Sequence, residues 1–243
     1  MRKINTLKSY KSKSLFGIIN IPGDKSISQR AVIFASLCFG LTKIFGLLKS
    51  KDVLSTLNAL KSLGVKVKFN SDICEISGTG GTFKKPKKPL NLGNSGTGVR
   101  LLIGMLSSKN IETTFKGDKS LSKRPMNRVI KPLLEMGAEI ESNNGMLPIT
   151  TMGSKIRDNF EYKMPIASAQ VKSCLLLSAL ASKKNIKIIE PKITRDHTER
   201  MIEFFGGEIT FGNNLNPRNI ELKSCNIQSK GQYNVPGDFS SAA

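Results

Sequence analysis

Tryptophan is absent from the 243 residues, tyrosine occurs three times, and the one histidine is His197. Cysteine stands at 38, 74, 174 and 225, with no C-x-x-C pair. That spacing excludes the close ligand clusters of a zinc site. It leaves buried free thiols in a reducing compartment as the reading of the cysteines. No run approaches the roughly eighteen consecutive apolar residues of a membrane-spanning helix. The longest apolar stretch, Cys174 to Ala181, is broken by Ser178 and reads as a core helix. Acids are scarce, 18 against 38 Lys and Arg, and the formal charge is +20.

So large a positive charge first suggests nucleic acid. The lysines, however, are spread along the whole chain. Aromatic residues are too few for base stacking, and no zinc-finger, RRM or KH signature is present. A solvated lysine-rich surface accounts for most of the charge. A field that draws small polyanions to a cleft is a partial contributor.

The length allows one good core, or one domain with pieces of another. A hydrophobic content of 39% fits a globular chain. The first twenty residues contain no acid and several Lys and Ser, a composition shared with some transit peptides. No apolar block of signal-peptide type follows Arg2 and Lys3. Leu15, Phe16, Ile18, Ile19 and Ile21 read instead as a strand-forming start.

A repeat of roughly seventy residues organises the rest of the chain. Small or hydroxyl residues precede a helical apolar pattern at Gly23-Asp-Lys-Ser-Ile-Ser-Gln-Arg30, Gly93-Asn-Ser-Gly-Thr-Gly-Val-Arg100, Ile166-Ala-Ser-Ala-Gln170 and Gly237-Asp-Phe-Ser-Ser241. In the first, Ile27, Ala31, Phe34, Ala35 and Cys38 lie on one helix face, and Ser26 with Gln29 matches a capping box. The third helix, Gln170 to Ser182, is apolar nearly all round and is predicted to be deeply buried. Second helices are predicted at Asp52–Leu63, Pro125–Met136 and Asp196–Phe205, the last with Asp196 and Glu199 as a box-like cap. Each ends in a glycine, Gly64, Gly137 or Gly206, suited to a left-handed cap, and an extended run comes next. Each unit reads as strand–helix–strand–helix–strands. Three units span about residues 20–233, and a fourth starts at Val235. The expectation is that further repeats lie beyond Ala243.

A helix start offers unpaired N–H groups and partial positive charge, and glycine lets an anion reach the backbone. Lys25 and Arg30 flank the first start, Arg100 lies one turn inside the second, and Ser168 offers a hydroxyl at the third. Gly117-Asp-Lys-Ser-Leu-Ser-Lys-Arg124 echoes residues 23–30, and both runs end in arginine, which suits bidentate contact with phosphate or carboxylate. Taken singly, each loop is an ordinary cap with surface charges. Their recurrence favours an anion site. Residues 93–98 fit neither a Walker A loop nor the G-x-G-x-x-G order, which leaves an ATPase or nicotinamide enzyme without support.

The runs Pro22–Arg30, Leu92–Arg100, Leu121–Met126, Pro165–Gln170, Thr194–Thr198 and Pro236–Ala242 together resemble the 5-enolpyruvylshikimate-3-phosphate (EPSP) synthases, in order and spacing along the whole chain. The resemblance implies an α/β (α+β) fold of repeated βαβαββ units. It assigns residues 20–233 to one domain of three units, 1–19 to a strand segment of a second domain, and 234–243 to the start of that second domain. It implies transfer of the enolpyruvyl group of phosphoenolpyruvate to the 5-hydroxyl of shikimate 3-phosphate, with no metal or organic cofactor. Lys25, Ser26, Arg30, Ser168, Ala169, Gln170 and Arg195 would then contact shikimate 3-phosphate. Lys25, Asn94, Gly96, Arg124 and Gln170 would contact phosphoenolpyruvate, in the pocket that the inhibitor glyphosate takes. The acid–base carboxylates are expected beyond Ala243, so turnover by this chain alone is expected to be negligible. The implied setting is cytoplasmic, with small-molecule partners, neither nucleic acid nor membrane, and a monomeric whole enzyme. Two alternatives are the related UDP-N-acetylglucosamine enolpyruvyl transferases and a non-catalytic basic anion- or RNA-binding module. The Gly-Asp-Lys-Ser and Ser-Ala-Gln runs favour shikimate 3-phosphate over the former.

Overall fold

The seventy-residue repeat is built as three like sheets of four strands. The computed structural model describes residues 8–11, 14 and 16–242. The first unit comprises α1 (Lys25–Leu37), β1 (Phe39–Phe45), α2 (Lys51–Ser62), β2 (Lys66–Asn70) and β3 (Ile73–Thr79). The second comprises β4 (Leu90–Asn91), α3 (Gly96–Ser107), β5 (Thr113–Lys116), α4 (Asn127–Glu135), β6 (Glu139–Asn143) and β7 (Met146–Met152). The third comprises β8 (Phe160–Lys163), α5 (Ala169–Ser182), β9 (Ile186–Glu190), α6 (His197–Phe204), β10 (Ile209–Phe211) and β11 (Arg218–Leu222). β12 (Gln232–Asn234) and α7 (Phe239–Ala242) close the described chain.

The sheet orders are β12-β1-β3-β2, β4-β5-β7-β6 and β8-β9-β11-β10. In each, the outer strand runs parallel to its neighbour and the other pairs are antiparallel. The βαβαββ unit is therefore complete within the second and third repeats. The first repeat takes its outer strand from far along the chain, with Lys43, Ile44 and Phe45 opposite Gln232, Tyr233 and Asn234.

The strand predicted around Phe16 to Ile21 does not form among the described residues, and Phe16 and Ile18 are almost fully exposed. Leu15 lies outside the described residues. A strand is held by its neighbour's ladder, and residues 16–21 have no ladder partner among the described residues. The two Pro-Gly-Asp runs meet instead. Asp24 N–H donates to the Pro236 carbonyl at 2.9 Å, and Asp238 N–H donates to that of Pro22 at 2.8 Å. Gly23 is required there, because a Cβ would meet the Gly46 carbonyl oxygen.

The predicted second helices lie within one or two residues of α2, α4 and α6, and Gly64, Gly137 and Gly206 all take positive φ past their ends. The core is centred on the first helices. Residues 28–37 of α1, 98–107 of α3 and 171–181 of α5 are buried. The sheets face solvent on one side, as the alternating burial of β7 shows. At the α3–α5 contact, Gly104 lets the two backbones close. A Cβ there would meet the Cys174 carbonyl oxygen. Among the described residues no helix is long and apolar enough to cross a membrane. All four cysteines are free.

Candidate functional site

Three helix starts define the site. Asp24 Oδ1 accepts the Ile27 N–H at 2.7 Å, Ser95 Oγ that of Gly98 at 3.1 Å, and Ser168 Oγ that of Val171 at 3.4 Å. The capping box predicted from Ser26 and Gln29 is not formed, since the helix starts two residues earlier and Asp24 takes the cap. Gln29 Nε2 donates instead to Ser95 Oγ, which ties α1 to α3. Gln170 Nε2 donates to Thr97 Oγ1 at 3.2 Å, tying α5 to α3. Arg30 Nη2 donates to Ser173 Oγ at 2.9 Å, tying α1 to α5. Three side chains thereby hold three helix N-termini at one end of the domain, where their partial positive charges add.

At the second start the geometry gathers cations. Arg124 is exposed, and its Nη2 donates to Asn94 Oδ1 at 2.7 Å and to Ser120 Oγ at 3.4 Å. Gly96 is buried beneath them. A Cβ on it would lie 3.1 Å from Arg100 Nη1 and 3.3 Å from Arg124 Nη1. Arg100 Nη1 donates to the Gly96 carbonyl at 3.1 Å, and its buried Nε has no partner. Burial holds the Arg100 guanidinium below its ordinary range, and the charges of Arg128 and Arg124 push it further down. Among the described residues neither Arg100 nor Arg124 forms an ion pair with a carboxylate, so positive charge is gathered at this start. The echo between residues 23–30 and 117–124 is structural, since Asp118 Oδ1 accepts the Leu121 N–H at 2.7 Å just as Asp24 accepts that of Ile27.

At the first start Lys25 is exposed, with Nζ 3.2 Å from Asp52 Oδ2. Ser26 is half-buried, and its carbonyl accepts from Arg30 Nη1 at 3.1 Å. Arg30, expected from the resemblance to touch a ligand, is only 3% exposed. Its Nε donates to Thr198 Oγ1 at 2.8 Å. Burial pulls its pKa down to about 10, against the opposing pull of Glu199 and Asp24. Here it braces the helix starts from behind. At the third start Ser168, Ala169 and Gln170 are half-buried. Arg195 is exposed, close enough for its charge to lower the pKa of Arg30 and of His197. His197 lies below its ordinary value chiefly through burial, then through Arg30. A cleft of about 400 Å³ adjoins Ser168, with Arg128, Lys131 and Tyr162 on its walls.

Side-chain contacts thus bring together Asn94 and Arg124 over Gly96, and Gln170 with the second helix start. Ser26 and Arg30 meet through the Ser26 carbonyl. Ser95, Thr97, Ser173 and Thr198 are not singled out by the sequence, and Gln29 is read there only as part of a capping box. Their signal is weak, as each is a polar residue within or just before an apolar helical run. The box-like cap read from Asp196 and Glu199 also differs. Asp196 Oδ2 accepts from Arg200 Nε at 2.8 Å, and Glu199 turns inward.

A family model described as EPSP synthase (3-phosphoshikimate 1-carboxyvinyltransferase) matches residues 9–243. A 3-phosphoshikimate 1-carboxyvinyltransferase from Vesicomyosocius okutanii subsp. Calyptogena okutanii is 48% identical over 235 residues, which cover 96% of this chain and 53% of the relative. Another, from Bartonella quintana, is 46% identical over 246 residues, covering 100% of this chain and 56% of the relative. A solved structure of EPSP synthase from Acinetobacter baumannii superposes with a TM-score of 0.86 at 39% identity, over 93% of this chain and 51% of that one. The chain spans about half the length of the relatives it matches. With nearly every residue matched in sequence and the frame matched in space, the chain belongs to the EPSP synthase family.

Proposed function

We propose that this chain supplies one half of a site that transfers the enolpyruvyl group of phosphoenolpyruvate to the 5-hydroxyl of shikimate 3-phosphate. The oxygen of that hydroxyl bonds to C2 of phosphoenolpyruvate and gives up its proton to a base, while an acid adds a proton at C3. The tetrahedral intermediate then expels phosphate, and loss of a C3 proton restores the enol ether as 5-enolpyruvylshikimate 3-phosphate. The observation that carries the reading is the convergence of three helix N-termini with Lys25, Arg124 and Arg195 exposed around them. Both substrates are anions, and fixed cations with backbone N–H groups position them and stabilise developing charge.

In this reading Lys25, Ser26, Ser168, Ala169, Gln170 and Arg195 face shikimate 3-phosphate, with Arg30 behind Ser26. Lys25, Asn94, Gly96, Arg124 and Gln170 face phosphoenolpyruvate. The acids at this end are ill placed for proton transfer: Asp24 caps α1, and Asp52 is paired with Lys25. The acid–base groups are therefore assigned to residues outside this chain, and no organic cofactor or metal is invoked. The four free thiols accord with a cytoplasmic setting. Small molecules are the partners in this reading, and the whole enzyme is a monomer.

Calorimetric titration of the purified chain with shikimate 3-phosphate tests this. Saturable binding is expected, and it should be lost in a Lys25→Ala/Arg195→Ala variant. Absence of binding by the folded chain would remove the preformed half-site. Phosphate release by the chain alone, with both substrates and no added partner, would contradict the placement of the proton-transfer groups.

A further inference from the structure

We propose that Lys172, clamped between Glu190 and Glu199, is a positioning residue. It staples the 191–196 segment, which carries Arg195, to the first turns of α5. The proposal rests on the function proposed above, in which Arg195 and the α5 start bind the phosphate-bearing substrate.

All three side chains are withdrawn from solvent, at 0–1% exposure. Lys172 Nζ lies 2.9 Å from Glu190 Oε2 and 2.6 Å from Glu199 Oε1. The lysine stands on α5, just past Gln170. Glu190 is the last residue of β9, and Glu199 lies in the first turn of α6. One ammonium therefore grips both ends of the segment that joins β9 to α6. From within the segment, Thr194 Oγ1 donates to Glu190 Oε2 at 2.9 Å. A second link lies alongside. Thr198 Oγ1 donates to Ser173 Oγ at 2.7 Å, and Arg30 donates to both oxygens. Arg218 Nη1 stands 4.0 Å from Glu190 Oε1 at the rim.

The energetics favour a geometric role over a stabilising one. Burying charges is costly, and apolar side chains of the same volume hold elements together as well or better. Here one lysine faces two carboxylates, and burial raises the Glu199 pKa despite the attraction of Lys172. What an apolar trio would not supply is direction. The ammonium donates to Glu190 and pairs with Glu199, whose carboxylate oxygens have no hydrogen-bond partner among the described residues, so a register of β9 or α6 against α5 that draws either carboxylate away leaves a buried charge uncompensated. That register sets where Arg195 stands relative to Ser168 and Gln170. No other link of comparable burial joins the segment to α5 among the described residues except the Thr198–Ser173 ring.

The test uses the full 243-residue chain, with two readouts on each variant. One is amide hydrogen exchange of residues 192–197 without ligand, and the other is shikimate 3-phosphate affinity by calorimetry. For Lys172→Met, exchange of the segment is expected to quicken and affinity to fall, each by about tenfold or more. Thr194→Val cuts only the tether from inside the segment and should move both readouts the same way by a smaller factor. Thr194→Ser keeps the hydroxyl and should restore both. A folded Lys172→Met chain with unchanged exchange and affinity overturns the proposal. If that variant does not fold, unchanged exchange in Thr194→Val overturns it instead. If the parent chain binds no shikimate 3-phosphate, the functional reading fails, while exchange still decides whether the clamp holds the segment.

Discussion

The starts of α3 and α5 are two outcomes of one repeat. Both helices open with a serine cap, both are buried along their length, and they pack on each other. The first turn of α3 is rich in glycine, and its cations stand open or unbalanced: Arg124 at the surface, Arg100 beneath with a free Nε. The first turns of α5 lack glycine, and their cation, Lys172, is buried between two carboxylates. The same frame therefore yields one end where backbone and charge are left accessible, and one where charge holds the frame itself. Glycine makes the first possible, since at Gly98 a Cβ would come within 2.5 Å of both Ser95 Oγ and Thr56 Oγ1.

The largest effect that would break this comparison is at the joint between the two helices. Gly104→Val drives carbons into the Cys174 carbonyl and should cost about 3 kcal/mol, the upper part of the usual overpacking range. A urea unfolding midpoint that does not fall would mean that the helices do not share a rigid contact. Next come the caps. Ser95→Ala removes the Gly98 bond and strands the Gln29 amide, and about 1–2 kcal/mol should be lost. Ser168→Ala gives up only a bond of 3.4 Å, so it should cost less. Equal losses in thermal unfolding would show that the two starts are held alike. Smallest in stability is Gly96→Ala. The neighbours of the new methyl are flexible guanidinium tips, so the change should stay within about 0.5 kcal/mol. On the proposed function its effect belongs to the ligand: Arg100 and Arg124 must give way, and phosphoenolpyruvate and glyphosate should bind the site less tightly. Equal glyphosate inhibition of both forms would end this account.

Much of the frame is legible in the sequence. Gly64, Gly137 and Gly206 announce the ends of the second helices because only a residue without a side chain takes positive φ there cheaply. The all-round apolar run from Val171 to Ala181 announces a buried helix. The helix starts at Gly96 and Ser168 are legible through their recurrence, while Asn94 and Gln170 are picked out only by the family resemblance. The features that escape such a reading are non-local. Ser26 and Gln29 have capping-box spacing, but Asp24, two residues earlier, captures the first N–H groups. A lone lysine in an apolar helix gives no hint of its partners when they lie on the next strand and the next helix. Arg30 carries the motif's charge, but its burial depends on Ser173 and Thr198, which only the packing of α1 on α5 and α6 brings near.

β12 also escapes, as a three-residue strand without a pattern of its own, and it has a consequence for how the chain is made. The second and third repeats carry every strand they need in consecutive order, so each sheet can assemble as soon as its own stretch has been synthesised. The first repeat cannot. β1, β3 and β2 can pair early, but the flank of β1 stays open until Gln232 to Asn234 arrive from the far end. Closing so long a loop is slow relative to local pairing. The first repeat is therefore made before the other two and finished after them, and until then its open strand edge is a place where a nascent chain is exposed to wrong partners.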